Sequence, residues 1–128
     1  MGAFKFDHIH LRSPNPEQTA TFYERMFGAT VHRSMQNGKP RVDMDLCGQM
    51  IFIAQVNPTD KVGDAPKSPY IGLDHVGLIV TGIDGIVSEL KGKGAKFTME
   101  PTTIRPGVRI AFLTGPENVS IELVDRSV

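Results

Sequence analysis

Apolar and polar residues alternate through "FDHIHLRS" near the N-terminus and again through "LDHVGLIV" from residue 73. A short break follows each, then apolar residues at helical spacing that end at a glycine. Period-two alternation sends successive side chains to opposite faces of a strand, and 3.6-residue spacing gives a helix one apolar stripe. In the first half this predicts a strand over residues 5–12. A helix over 16–27 follows, opened by Asn15 with Pro16 at its first position and closed by Gly28. "TVHRSMQ" and "RVDMDL" flank Asn37-Gly38, a strong hairpin signal, and "MIFIAQV" supplies a last strand. The second half predicts a strand in "DHVGLIV" and a helix over 82–93. Strands around "AKFTM" and "VRIAFL" come next, and "SIELVD" is the final one.

The two halves are a repeat. Asp7-His8-Ile9 placed on Asp74-His75-Val76 gives an offset of 67, which also carries Gly48 to Gly115 and Gln55 to Glu122. The helix-closing glycines Gly28 and Gly94 differ by 66, a slip that a loop absorbs. Each half reads as strand, helix and three strands, so the expectation is an α+β fold of two βαβββ modules, about 5–57 and 73–125, within one domain over 1–128. The linker, about 58–72, is rich in Pro, Gly and Asp, a composition suited to capping a site or to exchange between the subunits of a homodimer.

Strand parity sorts the polar residues. Ile9 and Leu11 oppose His8, His10 and Arg12; Val42, Met44 and Leu46 oppose Arg41, Asp43 and Asp45. In "MIFIAQV" the helix side is taken as Phe52, Ala54 and Val56, with Ile51, Ile53 and Gln55 facing away. In the second half Val76, Leu78 and Val80 oppose His75 and Gly77, and Ile121 and Leu123 oppose Ser120 and Glu122. A mixed sheet that curls into a cup would then line it with His8, Gln55, His75 and Glu122. Two imidazoles, a carboxylate and an amide oxygen form a sensible ligand set for one divalent ion such as Zn, Ni, Co, Mn or Fe.

Composition narrows the partners. With 128 residues, 40% hydrophobic, the chain is of ordinary size for one domain. Lys and Arg total 14 against 14 Asp and Glu, without a basic run, which argues against nucleic acid or an anionic membrane and for a small-molecule substrate. No apolar run approaches a membrane span, and the first patterned strand begins too early for a signal peptide, so a cytoplasmic location is expected. The single cysteine, Cys47, excludes an internal disulfide and is expected to be a small buried hydrophobe.

The segments "DHIHLRSPNPEQTATFYERMFG" and "DHVGLIVTGIDGIVSELKGKGAKF", with the terminal "GPENVSIEL", resemble the vicinal oxygen chelate superfamily. That group includes glyoxalase I, methylmalonyl-CoA epimerase, extradiol dioxygenases, fosfomycin-resistance enzymes and bleomycin-resistance proteins. The resemblance implies paired βαβββ modules around a divalent metal held by His8, His75 and Glu122. The fourth family position falls on Gln55, or on Ile53 if the register moves by two, which leaves two His and one Glu. It further implies Arg12 as a substrate contact and, in the register that puts Ile53 in the fourth position, Asn57; strand parity adds Arg41.

Fold does not choose the reaction. A lyase or isomerase of the glyoxalase I or methylmalonyl-CoA epimerase type would take a proton alpha to a carbonyl while the metal chelates the enolate. Gln55 is no base, so Glu122, Asp43, Asp45 and His10 are the catalytic candidates. An Fe(II) extradiol-type dioxygenase is the alternative, and a metal-free drug-binding protein of the bleomycin-resistance kind is the second.

Overall fold

The computed structural model describes residues 2–128, which form two compact units, one reaching to Val62 and the other running from Gly63 to Val128. Each unit is one βαβββ module. The first comprises β1 (Ile9–Ser13), α1 (Pro16–Phe27), β2 (Thr30–Gln36), β3 (Lys39–Leu46) and β4 (Gln49–Gln55). The second comprises β5 (His75–Ile79), α2 (Ile83–Gly92), β6 (Lys96–Arg105), β7 (Val108–Thr114), a single 3-10 turn (Pro116–Asn118) and β8 (Ser120–Asp125). No helix among the described residues is long and apolar enough to cross a membrane.

The sheets have one topology, β1-β4-β3-β2 and β5-β8-β7-β6. In each, the first strand runs parallel to the last, and the other pairs are antiparallel. The helix makes the crossover that a parallel pair requires. Helix α1 buries Thr19, Ala20, Tyr23 and Met26 against Val42, Met44, Leu46, Ile51 and Ile53. Helix α2 buries Ile83, Val87 and Leu90, and Ala111, Leu113, Ile121 and Leu123 form the apolar sheet face of that unit.

The predicted bounds of α1 match. The Asn15 side chain accepts from the Gln18 N–H at 3.1 Å, and Gly28 closes the helix at φ 72°, a left-handed conformation that suits glycine. Helix α2 is capped from elsewhere. Gly82 has no side chain to offer, so the buried Asp125 carboxylate at the end of β8 accepts from the Gly82 and Ile83 N–H groups at 2.9 and 3.0 Å. It accepts as well from the Ser127 N–H and hydroxyl, and these bonds hold its pKa down to about 2.

Strand β1 begins at Ile9 and not at residue 5, and three further expectations change. Strand β6 runs to Arg105, well past "AKFTM", because β7 pairs with it as far as the Pro106-Gly107 turn. Cys47 is exposed: with Gly48 it makes the two-residue turn between β3 and β4, at φ 52° and 95°. In β4 the faces are reversed. Ile51 and Ile53, each 3% exposed, face the helix, and Phe52 and Ala54 lie on the side of His10 and Arg12.

Candidate metal and substrate site

In the second unit β5 and β8 place a histidine beside a carboxylate. Val76 pairs with Ile121 and Gly77 with Glu122, so His75 and Glu122 share a face, and His75 Nε2 lies 3.1 Å from Glu122 Oε1. His75 Nδ1 is 2.8 Å from Asp74 Oδ2. Asp74 is fixed in turn by the Ser68 hydroxyl and the Tyr70 N–H, and bonding to His75 first, then to those two groups, holds its carboxyl down at about 2. The bond to Asp74 raises the pKa of His75, and burial opposes it; Glu122 adds to the rise. Both ring nitrogens therefore face carboxylates, one orienting the ring and one standing where a ligand partner would.

Two neighbours shape this pair. The Phe112 ring stands edge-on to His75 at 5.1 Å between centroids. Gly77, on the same face, leaves the space over Glu122 open; a Cβ built there would come 4.0 Å from Oε1.

The first unit repeats the histidine without the carboxylate. His8 Nδ1 is 2.7 Å from Asp7 Oδ2, the same local pairing as Asp74 with His75. Its ring stacks on Phe52 at 4.0 Å, 20° from parallel, and His10 lies 6.2 Å from it. The pKa of His10 is lowered, first by burial and then by the charges of Arg12, His8 and Arg41. The Arg41 guanidinium sits 4.6 Å from the Phe52 centroid, and its Nε donates to Asp43 at 2.8 Å.

The other predicted residues are dispersed. Asp43 accepts from Arg41 and, at 3.4 Å, from the Ile53 N–H, and Asp45 accepts from the Gly48 N–H at 2.7 Å, so both have structural partners. Arg12 is exposed on the His10 face, and the Asn57 N–H donates to Asp60 in an exposed turn. Gln55 pairs with Ser13 and has the parity of buried Ile51 and Ile53, which puts it off the histidine face. It lines a cavity of about 240 Å³ together with His10, Gln36, Lys39 and Arg41.

The ladders give the counterpart of Glu122. His10 pairs with Phe52 as Gly77 pairs with Glu122, so Phe52 occupies the position to which a constant offset assigned Gln55. The carboxylate of that row stands one strand over, because Asp43 pairs with Phe52 where Phe112 pairs with Glu122. Acid and aromatic have exchanged strands. Within neither unit, among the described residues, does a third His, Cys, Asp or Glu join a metal-holding group.

Sequence reasoning missed Asp7 and Asp74 as orienting groups, although the repeated Asp-His pair displayed them, and it missed Phe52 and Phe112. Residues 7–112 match the family model described as Glyoxalase/Bleomycin resistance protein/Dioxygenase superfamily. Comparison with curated proteins gives no match. Among solved structures, the genomically encoded fosfomycin resistance protein FosX from Listeria monocytogenes is 15% identical over 97% of this chain and 94% of that one, with a TM-score of 0.72. UcmS2 is 17% identical over 96% and 98%, with a TM-score of 0.73. A glutamate-to-glutamine mutant of FosX, complexed with Mn(II) and 1S,2S-dihydroxypropylphosphonic acid, is 19% identical over 96% and 90%, with a TM-score of 0.68. At these identities the likeness shows the fold alone.

Proposed function

We propose, for a chain that belongs to the Glyoxalase/Bleomycin resistance protein/Dioxygenase superfamily, a divalent-metal-dependent enzyme acting on a small substrate with adjacent oxygens. The observation that carries this is the His75–Glu122 pair at 3.1 Å, with Asp74 fixing the far side of the ring. An imidazole Nε2 and a carboxylate oxygen are ordinary ligands for Zn, Ni, Co, Mn or Fe, and the carboxylate on Nδ1 is the customary supporting group. His8, with its own Asp7, is a further donor of the same kind in the first unit. FosX, of the same fold, is a protein complexed with Mn(II).

A metal so held supplies Lewis acidity to two neighbouring substrate oxygens. The finer reading is a lyase or isomerase of the glyoxalase I or methylmalonyl-CoA epimerase type. It places the proton-accepting role on His10, because Asp43 and Asp45 already serve Arg41, Ile53 and Gly48. A second reading, an Fe(II) dioxygenase, draws on Phe52: with an aromatic in the fourth position the ligand set is two histidines and one carboxylate, a pattern of non-haem iron oxygenases.

Metal content of protein purified without chelator or affinity metal tests the proposal. The expected result is about one equivalent per chain, lost in His8→Ala, His75→Ala and Glu122→Ala. Solvent-proton exchange at the alpha carbon of an α-hydroxy or α-carboxy (malonyl-type) thioester then marks the isomerase, and oxygen uptake with a catechol marks the dioxygenase. A wild type that takes up no metal on titration refutes both and leaves a metal-free binding protein.

A further inference from the structure

The cavity of the first unit has, apart from His10, a lining that the proposed metal chemistry does not use. It measures about 240 Å³ and is formed by Gln36, Asn37, Lys39, Arg41 and Gln55 with His10 at one wall. The two cations arrive together for local reasons. The Asn37-Gly38 turn, at φ 51° and 74°, reverses the chain so that Lys39 lies beside Gln36, and Arg41 follows two residues on, on the same face of β3. Arg41 is held from two directions: Nε donates to Asp43 at 2.8 Å and Nη1 to the Gln36 side-chain oxygen at 3.1 Å. Its plane is supported by Phe52. A guanidinium has five N–H groups, so this anchoring leaves donors over.

No Asp or Glu is among the lining residues, and the amide groups of Gln36 and Asn37 add neutral donors to the two cations. Asp43 balances Arg41 from outside the lining and leaves Lys39 as the net charge. The volume falls below the roughly 300 Å³ at which pockets begin to hold drug-sized ligands, which suits a head group.

We propose that this cavity binds an oxyanion, a carboxylate or phosphoryl group, carried by the substrate. A fixed guanidinium matches two oxygens of such a group, and Lys39 adds a mobile point charge. Anion binding itself stands independently of the metal; only the assignment of the anion to the substrate rests on the functional reading above.

The test uses the full chain treated with EDTA, titrated with inorganic phosphate, with acetate and with neutral acetamide, and followed by amide NMR. Phosphate and acetate are expected to move the resonances of residues 36–41 and 53–55, and acetamide is expected to leave them still. Arg41→Gln should weaken phosphate about tenfold and Lys39→Gln about threefold, because a charge-assisted hydrogen bond is lost in each case. Lys96→Gln, at an exposed lysine of the other unit, should change nothing. Equal shifts with acetamide, or equal phosphate affinity in wild type, Arg41→Gln and Lys39→Gln, would overturn the inference. So would the same loss in Lys96→Gln, which would mark general charge attraction. Metal uptake without phosphate binding refutes this inference alone; phosphate binding without metal uptake refutes the enzymatic reading and leaves the cavity standing.

Discussion

Two adjacent residues of β7 give a sharp test of the parity on which the site depends. Leu113 is fully buried, paired between Phe97 and Ile121 on the helix side. Phe112 is half-buried on the opposite face, across from Glu122 and edge-on to His75. Leu113→Ala removes three carbons at about 0.8 kcal/mol each, and the residual cavity adds to this, for a total of about 3 to 4 kcal/mol. Phe112→Ala loses a ring that is already partly hydrated, together with one aromatic contact, for about 1 to 2 kcal/mol.

Equilibrium unfolding in urea reads these losses directly. With a slope of about 2 kcal/mol per molar, the midpoint should fall by about 1.5 to 2 M in Leu113→Ala and by about 0.5 to 1 M in Phe112→Ala. The ring resonances of His75 should order the variants the other way, moving in Phe112→Ala and staying in Leu113→Ala. If Phe112→Ala cost as much as Leu113→Ala, or if the His75 signals moved in both variants alike, the division of β7 into a core face and a site face would be wrong.

Other outcomes follow from the caps and the charges. Asn15→Ala should cost about 1 kcal/mol in thermal or urea unfolding, because the Gln18 N–H loses its acceptor. Gly82→Ala should also destabilise, since a left-handed residue at φ 77° would gain a Cβ; the melting temperature reports it. Asp125 gives a pH effect of fixed sign: its folded pKa, about 2, lies below its ordinary 3.8, so its contribution is complete above 3.8 and is lost as pH falls towards 2. The stability gap between wild type and Asp125→Asn should therefore shrink over that window in acid-unfolding experiments, and a gap independent of pH would refute the assignment.

Much of the fold was legible because its elements carry local signals. The Asn15-Pro16 start and Gly28 stop fixed α1, and the strict alternation in β3 and β8 fixed which side chains face the helices. Strand β4 carried no such signal. "MIFIAQV" is apolar at nearly every position, so periodicity was silent and its faces rested on the assumed constant offset. That offset drifts. Strand β6 has ten residues where β2 has seven, with irregular pairing to β7, and the turn into β8 is longer than the one into β4. Pro101 within β6 hid the extension; the structure accommodates it because β6 is an edge strand. Gln55 was selected by counting through this drift, and the ladders replace it with Phe52.

The exchange of acid and aromatic between strands gives the duplication its chemical meaning. Each unit opens a strand with an Asp-His pair and sets one carboxylate and one phenylalanine across the next two strands of its sheet. In the second unit the carboxylate lies on β8, next to the parallel strand that carries the histidine, so imidazole and carboxylate meet. In the first unit the phenylalanine holds that place and stacks on the histidine, and the displaced Asp43 is bound to Arg41. One exchange thus has two effects. It removes a prospective metal donor from the first unit, and it anchors a guanidinium at the edge of a cavity without carboxylates. Two modules of one topology become chemically unlike, one suited to a cation and the other to an anion.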